Sequence, residues 1–277
     1  MNFTKMHGLG NDFIVIAEEN KLPHSVSDLA LRLCSRNFGV GADGLVYILP
    51  SGRADFMMRI INADGSEAEQ CGNAIRCAAK YIYDHGMSDK TELKIETIGA
   101  GVQPVQLTLQ EGKAVKVRVD MGEPVLKGTE VPTTVDAEPV LNHPVEADGR
   151  EFAFTAVSMG NPHCVIFLLM MRSALIFILG VQCWNGTRCS REKTNVEFTT
   201  VRSRSHLDMR VWERGAGPTL ACGTGACAAL VASVLHGLTD RKATVSLKGG
   251  DLLIEWNETD NRVYMTGPAE EVFRGSL

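Results

Sequence analysis

The chain is written twice. GNDFIVI starts at Gly10 and GNPHCVI at Gly160, an offset of 150 residues. RIINADGSEAEQCGNAIRCAA starts at Arg59 and RVWERGAGPTLACGTGACAA at Arg210, an offset of 151 that brings Cys71 into line with Cys222. Two matches in one order and at nearly one spacing mark an internal duplication. Convergence of two small-residue helix starts would account for the glycines and cysteines, but not for the paired Gly-Asn motifs. A duplicated chain folds as two copies of one unit, and 277 residues suffice for two hydrophobic cores.

Both copies share a coarse plan. A Gly-Asn turn leads into a short β-branched run, DFIVI or HCVIF, with the composition of a buried strand. A later strand, MMRII or MRVWE, ends in a polar, glycine-containing loop that delivers a cysteine, a glycine and then a helix. The helices GNAIRCAAKYIYDHG and GTGACAALVASVLHG close at Gly86 and Gly237, glycine just past a helix being the common left-handed stop. Alternating strands follow: TELKIETI and VKVRVDM in one half, ATVSLKG, DLLIEWN and RVYMTG in the other. Ile75, Ala78, Ala79 and Ile82 face one way in the first helix and the second carries few charges, so both are buried helices. The fold predicted is α/β, with two homologous lobes, each a curved mixed sheet wrapped around a central helix, related by pseudo-two-fold symmetry. Residues 1–122 form the N-terminal lobe and 123–277 the C-terminal lobe, with the last strand able to pack back on the first lobe. The Pro-, Glu- and Thr-rich stretch from Gly122 to Arg150 reads as the connection.

A net charge of −5 points away from nucleic acid and anionic membranes as partners. The opening MNFTKMHGLGNDFIVI lacks a basic leader, a long apolar core and a small-residue cleavage site, so it does not read as a secretory signal. The expected location is the cytoplasm, where the eight cysteines remain thiols. One stretch runs against this. From Cys164 to Cys183 the only charge is Arg172, and the length just suffices for a bilayer. That charge lies near the middle, and together with Gly180 and Gln182 it favours a buried strand followed by something irregular.

The chemistry centres on the paired cysteines. A cysteine at a helix N-terminus meets the positive end of the dipole and unpaired backbone N–H groups, which favour thiolate and should lower its pKa. The neighbouring glycines let a ligand carboxylate approach the same N–H groups. Two such cradles facing one another would hold one carbon between two sulfurs, a base on one face and an acid on the other. Inversion of a stereocentre by proton transfer needs that arrangement, and N–H groups on the carboxylate would stabilise the carbanion. Other chemistries fit less well. A phosphate loop of the GxxxxGK[ST] type needs a lysine that ACGTGACAAL lacks. Zinc or iron–sulfur binding would draw on Cys71, Cys77, Cys222 and Cys227, whose spacings are wide for the usual knuckles. Cys77 and Cys227 fall on the buried helices and Cys34 and Cys164 in apolar runs, where cysteine is usually a small core residue.

The stretches MHGLGNDFIVI, FGVGADGL, NADGSEAEQCGNAIRC, SMGNPHCVIF, NVEF and WERGAGPTLACGTGACAAL span both halves, and together the sequence resembles the diaminopimelate epimerase family. The resemblance implies interconversion of LL- and meso-diaminopimelate by two thiols, without pyridoxal or other cofactor and without metal, in lysine and peptidoglycan-precursor synthesis. It implies Cys71 and Cys222 as the catalytic pair, with His163 and Glu213 tuning the thiols. It implies Asn11, Asn62, Asn73, Asn161, Asn195, Glu213 and Arg214 as the substrate-binding set, and the backbone of Gly72, Gly223 and Thr224 as the carboxylate grip. By analogy the protein is a homodimer acting on a small molecule. A proline-racemase-like enzyme is the nearest alternative, and a thiol redox or metal-binding protein a more distant one. The sequence departs from the family in two places. Gly44 stands where some members carry a substrate-contacting glutamine. Residues 168–191, LLMMRSALIFILGVQCWNGTRCSR, replace a charged loop and short helix, and read either as a local reading-frame disturbance or as a hydrophobic contact surface.

Overall fold

The computed structural model describes all residues except 18–20, 69, 132, 148–149, 171–193 and 215. Most of the atypical stretch 168–191, with Cys183 and Cys189, therefore lies outside the described residues, as does most of the apolar run from Cys164 to Cys183. Among the described residues no helix is long and apolar enough to cross a membrane. The chain divides into two compact units, Met1–Asp120 with Thr266–Leu277, and Met121–Met265.

The first unit runs β1 (Asn2–Gly8), β2 (Asn11–Ile16), α1 (Val26–Leu33), β3 (Gly44–Leu49), β4 (Phe56–Asn62), β5 (Glu67–Ala68), α2 (Gly72–Asp84), β6 (Glu92–Thr97), β7 (Gly101–Gln110) and β8 (Lys113–Asp120). The second runs β9 (His143–Ala147), β10 (Arg150–Ser158), β11 (Pro162–Phe167), β12 (Asn195–Ser203), β13 (His206–Glu213), β14 (Gly217–Pro218), α3 (Gly223–Leu235), β15 (Lys242–Leu247), β16 (Gly250–Trp256) and β17 (Val263–Gly267). The last strand, β18 (Glu270–Ser276), pairs antiparallel with β1, as β9 pairs with β10 in the second unit.

Pairing repeats strand for strand. β1–β2, β3–β4 and β6–β7 are antiparallel while β2–β3 and β4–β6 are parallel. In the second unit β10–β11, β12–β13 and β15–β16 are antiparallel while β11–β12 and β13–β15 are parallel. Register is kept as well: Phe13 lies opposite Gly44, and His163 opposite Asn195. Each mixed sheet wraps its own helix. α2 packs against β1, β2, β3, β4, β6, β7 and β8, and α3 against β10, β11, β12, β13, β15 and β16.

The alternation of strand side chains separates two layers in each unit. On β2 and β3, Ile14, Ile16, Leu45, Tyr47 and Leu49 join an outer core with Ala30 and Leu33 of α1. On β11 and β12, Cys164, Ile166, Val196 and Phe198 join the corresponding outer core. The intervening residues, Phe13 and Val46 in one unit, His163 and Glu197 in the other, turn to the helix side. Both central helices stop as their sequences imply: Gly86 and Gly237 have φ of 71° and 66°, and Met87 and Leu238 donate back to Ile82 and Ser233.

Candidate active site

Cys71 and Cys222 are the N-cap residues of α2 and α3, both in extended backbone conformation. The following glycines, Gly72 and Gly223, open the first turns, whose leading N–H groups have no intrahelical carbonyl to bond. The two sulfurs differ in what they touch. Cys222 Sγ accepts from the Gly225 N–H at 3.4 Å and lies 3.5 Å from Thr224 Oγ1. Cys71 Sγ instead donates to Asn11 Oδ1 at 3.7 Å, and it is half-buried where Cys222 is 5% exposed.

A chain of amides fixes that acceptor in the first unit. Arg76 Nη2 donates to Asn73 Oδ1 (2.9 Å), Asn73 Nδ2 to Asn11 Oδ1 (3.0 Å), and Asn11 Nδ2 to Asp43 Oδ2 (2.7 Å). A guanidinium only donates and a carboxylate only accepts, so each amide has a single orientation that satisfies its neighbours. Asn11 Oδ1 is therefore held toward the Cys71 thiol. Arg76 is fully buried and also donates to the carbonyls of Gly72 and Pro268, each at 3.0 Å. Arg36 bridges Asp43 (2.6 Å) and Asp12 (2.8 Å), and Lys5 reaches Asp12 at 2.7 Å. Burial pushes the Asp12 carboxyl up, but the hydrogen bonds and charges of Arg36 and Lys5 prevail and hold it down at about 2.

The second unit builds its polar interior from an acid and an imidazole. His163 Nδ1 lies 2.7 Å from Glu197 Oε1, both side chains fully buried, and His163 Nε2 lies 2.9 Å from Asn161 Oδ1. Asn195 Nδ2 donates to the Pro162 carbonyl (3.2 Å) and its Oδ1 accepts from the Arg214 N–H (2.9 Å). Asn195 thus ties β11 to the turn after β13. Glu213, the last residue of β13, accepts from the Thr219 hydroxyl. Burial raises its pKa, and the nearby Glu197 charge adds to this, while the hydrogen bonds and His163 offset part of the rise.

The expectation of a lowered pKa is reversed at Cys222. Burial, then the charges of Glu213 and Glu197, push its thiol well above the usual range, and Thr224 and the Gly225 N–H offset only part of this. In this environment Cys222 rests as a thiol. Cys34 and Cys77, buried in apolar surroundings, are pushed up to about 11 and about 12, as suits inert core thiols.

Within the first unit, Cys71, Gly72, Asn73 and Asn11 thus form one hydrogen-bonded cluster. Asn62 donates from Nδ2 to Ser66 Oγ at 3.0 Å, which leaves its Oδ1 as the distinctive acceptor. Within the second, Cys222 contacts Thr224, His163 joins Glu197 and Asn161, Glu213 bonds Thr219, and Asn195 links Pro162 to Arg214. Gly223 lies buried in the first turn of α3, and the Arg214 side chain is exposed. Register pairs Gly44 with Asn62, the counterparts of Asn195 and Glu213. A Cβ at Gly44 would meet the Ile61 carbonyl at 2.8 Å. Sequence reading assigned nothing to Asp43, Arg76 or Glu197. The signal for Glu197 was a lone acid between Val196 and Phe198 in an otherwise uncharged stretch of strand.

The fold has solved counterparts. A hydroxyproline epimerase from Agrobacterium vitis matches with a TM-score of 0.72 and 16% identity, covering 99% of this chain and 91% of that one. The chain therefore has the two-unit fold of that epimerase, here with a cysteine capping the central helix of each unit. The family profile of diaminopimelate epimerase matches residues 3–127 and 155–272. Proteins named diaminopimelate epimerase from Desulfitobacterium hafniense and Acetivibrio thermocellus are 55% and 53% identical, each alignment covering 100% of this chain and 98% of the relative. The chain belongs to the diaminopimelate epimerase family.

Proposed function

We propose that this enzyme, an isomerase, interconverts LL- and meso-diaminopimelate by proton transfer at the α-carbon, with Cys71 and Cys222 as paired base and acid. The observation that carries the reading is the equivalence of the two helix-capping cysteines in two units of one topology, within a family matched along the chain. One sulfur, as thiolate, takes the α-proton: the C–H bond breaks, an S–H bond forms, and the electron pair passes into the substrate carboxylate. The first-turn N–H groups at Gly72, Asn73, Gly223 and Thr224 stabilise that charge. The opposite sulfur, as thiol, then returns a proton to the other face, so the two exchange roles with direction. Glu213, raised by burial and near enough to Cys222 for their charges to interact, receives its proton when Cys222 must act as base. The amide chain through Asn11 and Asn73 positions Cys71. Asn62, Asn161, Asn195 and Arg214 complete the proposed substrate set.

The proline-racemase-like alternative shares the fold, whereas the high identity to whole relatives lies with diaminopimelate epimerases. A cytoplasmic homodimer turning over a free small molecule, with no metal or organic cofactor, is the accompanying cellular reading. The test is incubation with diaminopimelate in heavy water. Deuterium should enter the α-position without added pyridoxal, metal or nucleotide; no exchange, or exchange that stops with a chelator, sinks the proposal.

A further inference from the structure

The His163–Glu197 pair is costly to build, and the first unit fills the equivalent positions without it. Both side chains are fully buried, and Glu197 Oε2 has no hydrogen-bond partner among the described residues. A buried carboxylate oxygen left without a partner is destabilising. The first unit shows the cheaper solution at the same register: Phe13 stands for His163 and Val46 for Glu197, each fully or nearly fully buried. The helix above has been altered to fit. Gly225 of α3 takes the place held by Ala74 in α2, and a Cβ at Gly225 would meet Glu197 Oε1 at 2.8 Å and Cys222 Sγ at 3.2 Å. The acid is thus wedged between the imidazole and the turn that carries Cys222.

We propose that Glu197 is a positioning residue for His163: its carboxylate accepts from Nδ1 and fixes the ring so that Nε2 is directed at Asn161 Oδ1. The hydrogen bond from Nδ1 to Oε1 at 2.7 Å sets the ring orientation. The assignment rests on the two-thiol reading above and on the family resemblance, which implies a tuning role for His163 and none for Glu197.

The test compares Glu197→Gln with the parent. Glutamine keeps the size and an acceptor but loses the charge, and its amide can also donate to Nδ1. The expected result is a folded enzyme whose kcat falls about a hundredfold, with KM within about twofold. Nitrogen-15 NMR of His163 should show Nδ1–H hydrogen-bonded to the carboxylate in the parent and that signal shifted in the variant, while Glu197→Asp should recover part of the rate. A kcat near that of the parent overturns the proposal, and so does a lost kcat with the Nδ1 signal unchanged. Should Glu197→Gln fail to fold, the double variant His163→Phe with Glu197→Val, which copies the first unit, decides. Folded and inactive, it supports a pair kept for function; unfolded, it makes the pair a folding element and overturns the assignment. Failure of the two-thiol reading is recognised separately, since the parent enzyme would then show no α-hydrogen exchange.

Discussion

The two units build one cap twice and surround it with opposite charge. In the first, the residue five positions after the capping cysteine is Arg76, a buried cation whose hydrogen bonds run through Asn73 and Asn11 to the Cys71 thiol. In the second, the same position is Cys227, fully buried, and the charge comes instead from β12 and β13 as Glu197 and Glu213. One sulfur faces a carbonyl oxygen locked in place, and the other accepts a backbone N–H beside two carboxylates. Duplication supplied matched backbones, and the side chains around each cap then diverged. Under the proposed two-thiol reaction, in which one sulfur gives a proton and the other takes one, that divergence lets the two protons be controlled separately.

Variants that exchange the two environments test this contrast. Arg76→Met strips donors from Asn73 and from the Gly72 and Pro268 carbonyls, and should cost about 3 kcal/mol in urea unfolding. Cys227→Ala at the equivalent site should cost only about 1 kcal/mol. Equal costs would show that Arg76 is not the keystone of its cap. Gly225→Ala should cost about 2 kcal/mol by crowding Glu197 and Cys222. Adding Glu197→Val, which restores the pairing of Ala74 with Val46, should recover that stability without recovering activity. A double variant no more stable than Gly225→Ala would mean that the acid is not what excludes the methyl group.

Thiol labelling reads the sulfurs directly. With iodoacetamide at neutral pH, Cys71 should be alkylated about tenfold faster than Cys222, followed by peptide mass spectrometry, since burial and two carboxylates keep Cys222 protonated. Faster labelling of Cys222 contradicts the account. The smallest effect concerns acid. Asp12, held at about 2 against an ordinary 3.8, contributes stability that is complete above pH 3.8 and lost as pH falls through 2. Asp12→Asn should therefore cost about 1 kcal/mol at neutral pH, discounted for its partial exposure, and almost nothing near pH 2. Its counterpart in the second unit is Pro162, so acid should loosen the first unit before the second. A constant difference across pH would show that the Lys5–Asp12–Arg36 cluster is not the source.

Much of this was legible in the sequence because duplication is a pattern in one dimension. It placed both central helices, their glycine stops at Gly86 and Gly237, and both capping cysteines. Charges whose partners are distant in sequence were not legible. Arg76 looks like an ordinary surface charge on its helix until Pro268, 192 residues away, closes over it. The direction of the Cys222 shift depends on Glu197 and Glu213, which reach the cap only through the pairing of β12 with β13. A local argument from the helix dipole saw the attractive term and missed the larger opposing ones. The Asn195 amide also engages the Pro162 carbonyl and the Arg214 N–H, contacts that its sequence motif does not announce.

The central claim is that two capping sulfurs share one reaction. It is tested most directly by following epimerisation in both directions in Cys71→Ser and in Cys222→Ser, with circular dichroism confirming that each remains folded. The account predicts that turnover falls about a thousandfold or more in each variant and in each direction, since neither face can be served by the remaining thiol alone. A near-normal rate in either variant, in either direction, would contradict it.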